Sequence, residues 1–258
     1  MTVQAGRRCS AARAYLDPIA GRANLDIVTG ALCDRVGLSG NGAEELTWRL
    51  RRRRHVTQVR REIILCAGAI ETPCILQRSG VGPPVLLRQH GIPVHAALPV
   101  GANLMDHLEV YVQAAGPRAH SLNRSLTPWR KTLIGARWLL SRDGLGATNH
   151  FEAGGFARSR AGVEWPDVQF HFLPAAVSYD GSHVATTPGY QLHVGPMLPE
   201  SRGSVAITSP DPGTHPVIDF NYLSAPADVE VFRASVRLAR EIIRQPALSR
   251  LGGGELGP

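Results

Sequence analysis

Long apolar runs and paired cysteines are what this 258-residue sequence lacks. Its longest apolar stretch, Ile63–Ile70, is far shorter than the roughly 20 residues that cross a bilayer. The first twenty residues contain charged side chains but no apolar core of a secretory signal. The four cysteines form neither a CxxC pair nor a metal-ligand spacing. We therefore expect a cytoplasmic chain without a transmembrane segment, an export signal or a cysteine metal site.

Several motifs that carry common chemistries are also missing. The sequence has no phosphate-loop GxxxxGK[ST] and no GxSxG nucleophile elbow. Its only GxGxxG, formed by Gly252, Gly254 and Gly257, follows a predicted helix instead of a strand. That motif binds a dinucleotide only when it leads from a strand into a helix, so this match is false.

Positive charge is in excess and concentrated in one place. The formal net charge is +7, and arginines occupy positions 49, 51–54, 60 and 61. A nucleic-acid surface usually interleaves such cations with aromatic residues, whereas only Trp48 is close by. We expect a solvated basic loop and no nucleic acid partner, with a basic interaction patch as the alternative.

The composition and periodicity predict one or two packed domains that combine α/β and α+β features. Hydrophobic residues make up 43% and charged residues 19%, which is typical of globular proteins. The sequence predicts a buried strand over residues 62–66, then a glycine turn, then a helix capped by Thr72 with Pro73 in its first turn. This order of elements is typical of α/β folds. Further elements are predicted as strands at 25–28 and 31–38 and helices at 10–16, 84–90, 128–140 and 224–245.

Alternating residues in the middle of the chain predict an antiparallel sheet. Val168, Phe170 and Phe172 alternate with Gln169 and His171, and similar patterns surround residues 192–194 and 205–207. Such a sheet packs one face and leaves the other partly exposed, as an active-site wall would. In contrast, the arginine-rich residues 39–58 do not read as a strand pair, and we expect a relaxed segment or a locally shifted reading frame there.

The segment Gly68-Ala-Ile-Glu-Thr-Pro-Cys-Ile-Leu-Gln-Arg-Ser-Gly-Val-Gly82 resembles a signature of the glucose–methanol–choline (GMC) flavoprotein oxidoreductases. Taken without the resemblance, it is equally an ordinary βα turn or a ligand-binding helix start. The resemblance extends over residues 6–248, including Asn103-Leu-Met-Asp-His107 and Phe151-Glu-Ala-Gly-Gly-Phe156, and is strongest with the bacterial choline dehydrogenase branch.

This resemblance implies FAD as cofactor and a choline-like alcohol as substrate. It implies that the backbone of Cys33, where valine is usual, meets the adenine end of FAD, and that Ala67 and Gly68 pack against the cofactor. Asn103 and His107 would belong to a segment that encloses FAD.

For the substrate, the resemblance implies that the carboxylate of Glu152 faces the trimethylammonium group of choline. A quaternary ammonium has no hydrogen to donate, so a carboxylate and aromatic walls are what bind it. Four aromatic residues near Glu152 in the sequence are candidate walls: Phe151, Phe156, Trp165 and Tyr179.

The resemblance also implies a division into a partial FAD-binding domain (1–108), a substrate-binding domain (109–223) and the start of a return segment (224–258). The family's GxGxxG unit finds no counterpart in this sequence. The resemblance implies that the family's catalytic histidine would lie beyond Pro258, so no catalytic residue is assigned.

Three functional readings follow from this resemblance and its gaps. We expect either a choline-dehydrogenase-like oxidoreductase that is inactive alone, a non-catalytic protein that interacts through its arginine-rich loop, or one part of a split enzyme. Peripheral attachment to a membrane surface stays open.

Overall fold

The computed structural model describes residues 3–40, 42–117, 121–178, 187–250, 252 and 254–257. Its strands are β1 (Val3–Gln4), β2 (Arg7–Arg8), β3 (Ala31–Ser39), β4 (Gly42–Leu50), β5 (Arg53–Gln58), β6 (Val81–Gly82), β7 (Ala96–Ala97), β8 (Ala102–Leu104), β9 (Val110–Ala115), β10 (Ala153–Ala157), β11 (Val168–Leu173), β12 (Gly189–Pro196), β13 (Gly203–Ala206), β14 (Val217–Asp219) and β15 (Glu255–Gly257).

Its α-helices are α1 (Gly68–Arg78), α2 (Pro84–Gln89), α3 (Pro128–Ser141), α4 (Pro226–Arg244) and α5 (Pro246–Ser249). A short π-helix covers Ala12–Leu16, and 3-10 turns cover Asp17–Ile19, Leu122–Leu126 and Gly144–Ala147. None of the described helices is long and apolar enough to cross a membrane.

Spatial proximity groups the chain into two units. Unit 1 comprises residues 1–25, 107–199 and 225–258, and unit 2 comprises residues 26–106 and 200–224. Residues 200–224 fall in unit 2 because β13 pairs with β8 and β14. This grouping assigns residues 200–224 differently from the division at 108/109 and 223/224, which stays a prediction.

Unit 1 is built on a five-stranded antiparallel sheet in the order β10-β11-β12-β9-β15. The sheet's apolar face packs under α4. The buried members of that core are Val112, Val168, Phe170, Leu192, Val194 and Ala239. The alternating pattern therefore predicted the sheet, and the mixed fold class is confirmed.

Unit 2 places α1 against β3 and β13, which belong to two different three-stranded sheets, β3-β4-β5 and β14-β13-β8. Cys74 of α1 forms a small apolar core with Leu104, Val205 and Ile207. This contact fixes α1, and with it the backbone at Gly68 where the helix begins.

The expectation of a relaxed segment without a strand pair at residues 39–58 was wrong, because β4 and β5 form a regular antiparallel pair next to β3. The alternative of a locally shifted reading frame stays a prediction. Carboxylates neutralise part of the charge: the guanidinium of Arg49 lies 3.3 Å from Asp34 Oδ2 and 2.9 Å from Asp211 Oδ1. Trp48 stacks on His55 across the two strands, with ring centroids 4.3 Å apart. These cross-strand partners, invisible in a single strand's pattern, hold the pair together.

Other local predictions were also corrected. Helix α1 begins at Gly68 and contains Pro73, and Thr72 Oγ1 accepts a hydrogen bond from the Ala67 N–H instead of capping the helix. Helix α4 begins at Pro226 with Ala225 as its N-cap residue, and the side chain of Ser224 does not cap it.

The apolar segments 25–28 and 62–66 form no strands, since no strand in the described part of the chain pairs with them. Their side chains are largely accessible, with Ile64 74% exposed.

Candidate functional site

The five-stranded sheet of unit 1 has a second face that is polar and aromatic. Because directly paired residues point to the same side, Tyr111 of β9, His193 of β12 and His171 of β11 lie in one row across this face. Gln113 and Gln191 form the neighbouring row. The sheet thus presents amide, imidazole and phenol groups opposite the apolar layer that packs under α4.

A chain of hydrogen bonds runs along this face and orients one imidazole. Gln191 Oε1 accepts from the Gln113 amide at 3.0 Å and from the Val177 N–H at 3.1 Å. The NH2 group of Gln191 must then face His193 Nε2, 2.7 Å away. His193 Nε2 therefore accepts, and its Nδ1–H donates to Glu109 Oε1 at 2.9 Å. His193 thus links the Gln191 amide to the Glu109 carboxylate.

Aromatic rings cluster around the same imidazoles. The Phe151 ring stands edge-on to His193, with centroids 5.5 Å apart, and to His171 at 5.9 Å. The ring centroids of Tyr111 and His193 are also 5.5 Å apart. Phe156 of β10 shares the polar face through its pairing with Gln169 and is 61% exposed. These rings form walls that suit a large organic cation.

Glu152 follows Phe151 of this ring cluster and directly precedes Ala153, the first residue of β10. Its Oε1 accepts a hydrogen bond from Thr148 Oγ1 at 3.4 Å, and the same hydroxyl accepts from the His150 N–H at 3.2 Å. His150 has a positive φ of 64°, which turns the chain sharply just before Phe151. The Glu152 carboxylate is exposed.

Three other predicted positions have different outcomes. Trp165, a candidate wall, is 70% exposed in the segment between β10 and β11. Tyr179, the last candidate wall, lies outside the described residues. Pro258, beyond which the resemblance implies the catalytic histidine, also lies outside the described residues. We therefore assign no catalytic residue among the residues that the structure describes.

An apolar cavity of about 450 Å³ opens between α3 and the end of β11. His150 and Lys131 supply its charged or titratable groups, and Ser125 supplies a hydroxyl. Its apolar lining consists of Leu122, Leu126, Ile134, Gly135, Leu145, Leu173, Ala175 and Val177. A mostly apolar cavity with a few polar groups is the usual form of a small-molecule site.

In unit 2, two buried side chains of α1 hold the helix in place. Gln77 Nε2 donates to the carbonyls of Val100 and Val205 at 2.9 and 3.0 Å, and its Oε1 accepts from the Ile207 N–H at 2.9 Å. Arg78, only 6% exposed, donates to Asp34 O at 2.9 Å. The end of α1 is therefore tied to strands on both sides.

The start of α1 is open. Gly68 has φ +84°, and a Cβ built on it would meet no atom within 4 Å. Ala67, at the N-cap, offers no side-chain acceptor to the first-turn amides. A helix start with free space above a glycine and amides without a side-chain cap suits a polar, partly anionic ligand.

The remaining predicted cofactor residues lie at separate places. Cys33 lies in β3, where Arg78 Nη2 donates to its carbonyl at 3.5 Å and burial raises the pKa of its thiol. Asn103 lies in β8 with φ +63° and is exposed. His107 belongs to unit 1 and lines a small cavity of about 50 Å³ with Glu109 and His171. The structure thus places Cys33, Ala67, Gly68 and Asn103 in unit 2, and His107 with Glu152 in unit 1.

Sequence reasoning missed Gln113, Gln191 and His193, which hydrogen bonds join across two neighbouring rows of the sheet face. The signal that could have found them is the alternation itself, because His193 sits between Leu192 and Val194, two residues of the apolar core. The same alternation did mark Gln169 and His171.

Two family models match the chain, both described as GMC oxidoreductase, over residues 1–109 and 199–258. Among curated proteins, an oxygen-dependent choline dehydrogenase of Burkholderia ambifaria is 49% identical over 254 residues, which is 98% of this chain and 45% of that protein. A second, from Burkholderia pseudomallei, is 50% identical over the same shares. The chain spans about half the length of the curated relatives it matches.

Solved structures give the same result for the fold. Pyridoxine 4-oxidase from Mesorbium loti matches 99% of this chain and 47% of its own, with a TM-score of 0.82 and 30% identity. A formate oxidase variant from Aspergillus oryzae matches 98% of this chain and 49% of its own, with a TM-score of 0.88 and 20% identity, which supports the fold alone.

Proposed function

This chain belongs to the GMC oxidoreductase family, and we propose from that premise that it forms part of an FAD-dependent oxidoreductase that converts a choline-like alcohol to its aldehyde. The observation that carries the proposal is the polar and aromatic sheet face beside Glu152, in a chain that is 49% identical to choline dehydrogenases. We assign the sheet face of unit 1 to the substrate and the start of α1 to the cofactor.

FAD is the cofactor of GMC oxidoreductases, and when bound it accepts the hydride released from the alcohol carbon. The open helix start at Gly68 fits such a group, because the glycine leaves room for close approach and the first turn of α1 offers amide donors. We assign Ala67 and Gly68 to cofactor contact, and the backbone of Cys33 to the adenine end. Asn103 and His107 complete the proposed set.

The substrate side relies on charge and ring contacts. We assign the exposed carboxylate of Glu152 to the trimethylammonium group, and the ring of Phe151 to one wall of that subsite. His193 and its hydrogen-bond chain keep the polar face rigid, since every bond in the chain fixes the next one. An immobile wall reduces the entropy lost when the substrate is bound.

The first experiment measures cation recognition by the 258-residue chain. Binding of choline and of its neutral isostere 3,3-dimethylbutan-1-ol is followed by calorimetry in wild type, Glu152→Gln and the control Glu164→Gln, whose carboxylate is also exposed. We expect wild type to prefer choline, and Glu152→Gln to lose about tenfold in choline affinity (about 1.4 kcal/mol) with little change for the isostere. Equal affinity for both ligands in wild type would contradict the substrate assignment.

The second experiment tests the cofactor half. Purified chain is titrated with FAD and passed over a gel-filtration column, and flavin absorbance in the protein peak is measured. The assignment is supported if flavin co-elutes with wild type and a smaller amount co-elutes with Gly68→Val. The branched valine side chain would fill the open space above residue 68 and strain its backbone at φ +84°. If Gly68→Val retains as much FAD as wild type, the result argues against contact between FAD and this helix start.

A further inference from the structure

A cavity of about 490 Å³ opens in unit 2 at the end of α1 that lies opposite Gly68. Helix α1 has 11 residues and is therefore about 16 Å long, which separates the cavity from the start of the helix. The arginine and histidine side chains in the wall of the cavity are Arg35, Arg49, Arg54, Arg78, His90 and His95. We call this space the arginine cavity.

The register of the β3-β4-β5 sheet brings three of these arginines to one face. Arg49 of β4 is paired directly with Arg54 of β5. Thr47, two residues before Arg49 in β4, is paired with Arg35 of β3. Paired residues, and residues two apart in one strand, point to the same side of a sheet. Arg35, Arg49 and Arg54 therefore project together toward the cavity.

Carboxylates neutralise only one of these three guanidinium groups. Arg49 is held by Asp34 and Asp211, at 3.3 and 2.9 Å. Arg35 and Arg54 form no hydrogen bond or ion pair with any residue in the part of the chain that the structure describes. Two exposed guanidinium groups at the edge of one cavity thus keep all their N–H donors available to a ligand.

The other carboxylate in the wall is distant from Arg54. Glu45 lies four residues before Arg49 in β4, about 13 Å along the strand, and it accepts a hydrogen bond from the Gln58 amide at 3.3 Å. The part of the cavity near Arg49 and Arg54 therefore stays positive.

A fourth guanidinium closes the inner side of the cavity. Arg78 is only 6% exposed and is fixed by its hydrogen bond to the Asp34 carbonyl at 2.9 Å. Its charge offsets the negative end of the α1 dipole, which would otherwise repel an anion from this wall.

The positive charge of the cavity has an electrostatic cost in the chain itself. Like charges directly opposite each other on neighbouring strands repel, and Arg49 and Arg54 are paired in this way. An anion that binds above the two side chains would relieve the repulsion. The arrangement therefore favours an anionic ligand on physical grounds.

The remaining wall is apolar and leaves room for more than a small ion. The volume is more than ten times the roughly 30 Å³ that one water molecule occupies, and it lies within the usual range of small-molecule sites. The apolar and proline residues in the wall are Val36, Leu38, Ile92, Pro93 and Pro210. The cavity thus accommodates an organic body as well as a charged group.

We propose that the arginine cavity binds a small phosphorylated organic molecule. Its phosphate lies between the guanidinium groups of Arg35 and Arg54, and its organic body lies against the apolar wall. The two arginines come from outer strands about 10 Å apart, and a dianionic phosphate has enough oxygens to accept hydrogen bonds from both. None of the described residues in the wall is a phenylalanine, tyrosine or tryptophan on which a base would stack, which favours a small molecule over a nucleic acid strand. The proposal does not depend on the proposed activity.

The test measures binding of phenyl phosphate, phenol and inorganic phosphate to the full 258-residue chain by calorimetry. We expect phenyl phosphate to bind about tenfold more tightly than either of the other two, because only phenyl phosphate contacts the guanidinium groups and the apolar wall together. Arg35→Gln and Arg54→Gln should each weaken its binding by about tenfold. The matched control is Arg53→Gln, which removes the same charge from the opposite face of β5 and should bind like wild type.

Thermal unfolding gives a second measurement. Without any ligand, Arg54→Gln should raise the unfolding midpoint by about 1 to 3 °C, because Arg49 no longer faces a second cation. Phenyl phosphate should raise the midpoint of wild type and of Arg53→Gln, but not that of the double variant Arg35→Gln, Arg54→Gln. Far-UV circular dichroism verifies that each variant is folded.

Four outcomes would overturn the proposal. The first is phenyl phosphate that binds no more tightly than phenol, and the second is an equal loss in Arg53→Gln and Arg54→Gln, which would indicate a general positive surface. The third is a loss in Gly68→Val but not in Arg54→Gln, which would place the phosphate at the start of α1. The fourth is an Arg54→Gln midpoint below that of wild type, since Arg54 would then have a stabilising partner.

A nucleic acid ligand has its own result. Oligothymidylate that displaces phenyl phosphate, with Arg53 and Arg54 contributing alike to its binding, would assign the arginines to a nucleic acid surface and likewise refute the small-molecule site. Failure of oligothymidylate to displace phenyl phosphate would support the small-molecule site.

Discussion

Replacing Gln77 by methionine should destabilise unit 2 strongly. The two side chains have similar volumes, but methionine cannot form the three hydrogen bonds that Gln77 makes to Val100, Val205 and Ile207. Gln77 is completely buried, so water does not replace these partners. Each lost bond to a buried backbone group costs about 1 to 1.5 kcal/mol, and we expect a total loss of about 3 to 5 kcal/mol. That is a large part of the total stability of about 5–15 kcal/mol typical of a folded protein.

The assay combines urea unfolding with amide hydrogen exchange. The free energy of unfolding is compared between Gln77→Met and the control Gln89→Met, which changes an exposed glutamine in α2 and should stay within about 0.5 kcal/mol of wild type. The amide of Ile207 should exchange much faster in Gln77→Met, because its acceptor is gone. A variant as stable as wild type, with the Ile207 amide still protected, would refute the assignment of Gln77 as the link between α1 and β13.

Three further predictions concern single positions. Gly68→Ala should lower the free energy of unfolding by about 1 to 2 kcal/mol because of the positive φ alone. Gly135→Ala, at an equally open place inside α3, should raise it by up to about 1 kcal/mol. Thermal unfolding of the two variants gives the comparison. Thr47→Val should raise the unfolding free energy by about 1 kcal/mol, since its fully buried hydroxyl has no hydrogen-bond partner among the described residues; a lower midpoint would reveal a partner. Hydrogen bonds from Arg137 and Ser141 lower the pKa of Asp143 from 3.8 to about 2. Their contribution to stability is therefore complete above pH 3.8 and is lost as the pH falls through 2. The unfolding midpoint of Asp143→Asn should lack this loss between pH 3.8 and 2.

Local pattern was sufficient for much of unit 1. The alternation of residues 168–172 and 192–194 predicts strands, and these strands pair as β11 and β12. The apolar spacing of α3 and α4 also predicts helices close to their observed bounds. These elements could be predicted because each one buries a single face, and the spacing of its own apolar residues shows that face.

The arginine-rich hairpin shows why other elements could not be predicted. Nothing within residues 49–54 indicates that Asp34 and Asp211, distant in sequence, supply carboxylates to Arg49. The apolar segment 62–66 gives the opposite case. Its residues favour a strand, but a strand exists only where a neighbour pairs with it, and none in the described chain does.

The candidate site divides in the same way. The sequence by itself determined the family, through motifs such as that of residues 68–82, and it determined the candidates Cys33, Ala67, Gly68, Asn103, His107 and Glu152. Only the tertiary structure decided that hydrogen bonds join Gln113, Gln191 and His193 across two neighbouring rows of one sheet face, and that the apolar side of α3 faces solvent. The physical reason is that periodicity reports which residues share a face, whereas the packing of that face and the partners of its polar groups depend on residues far away along the chain.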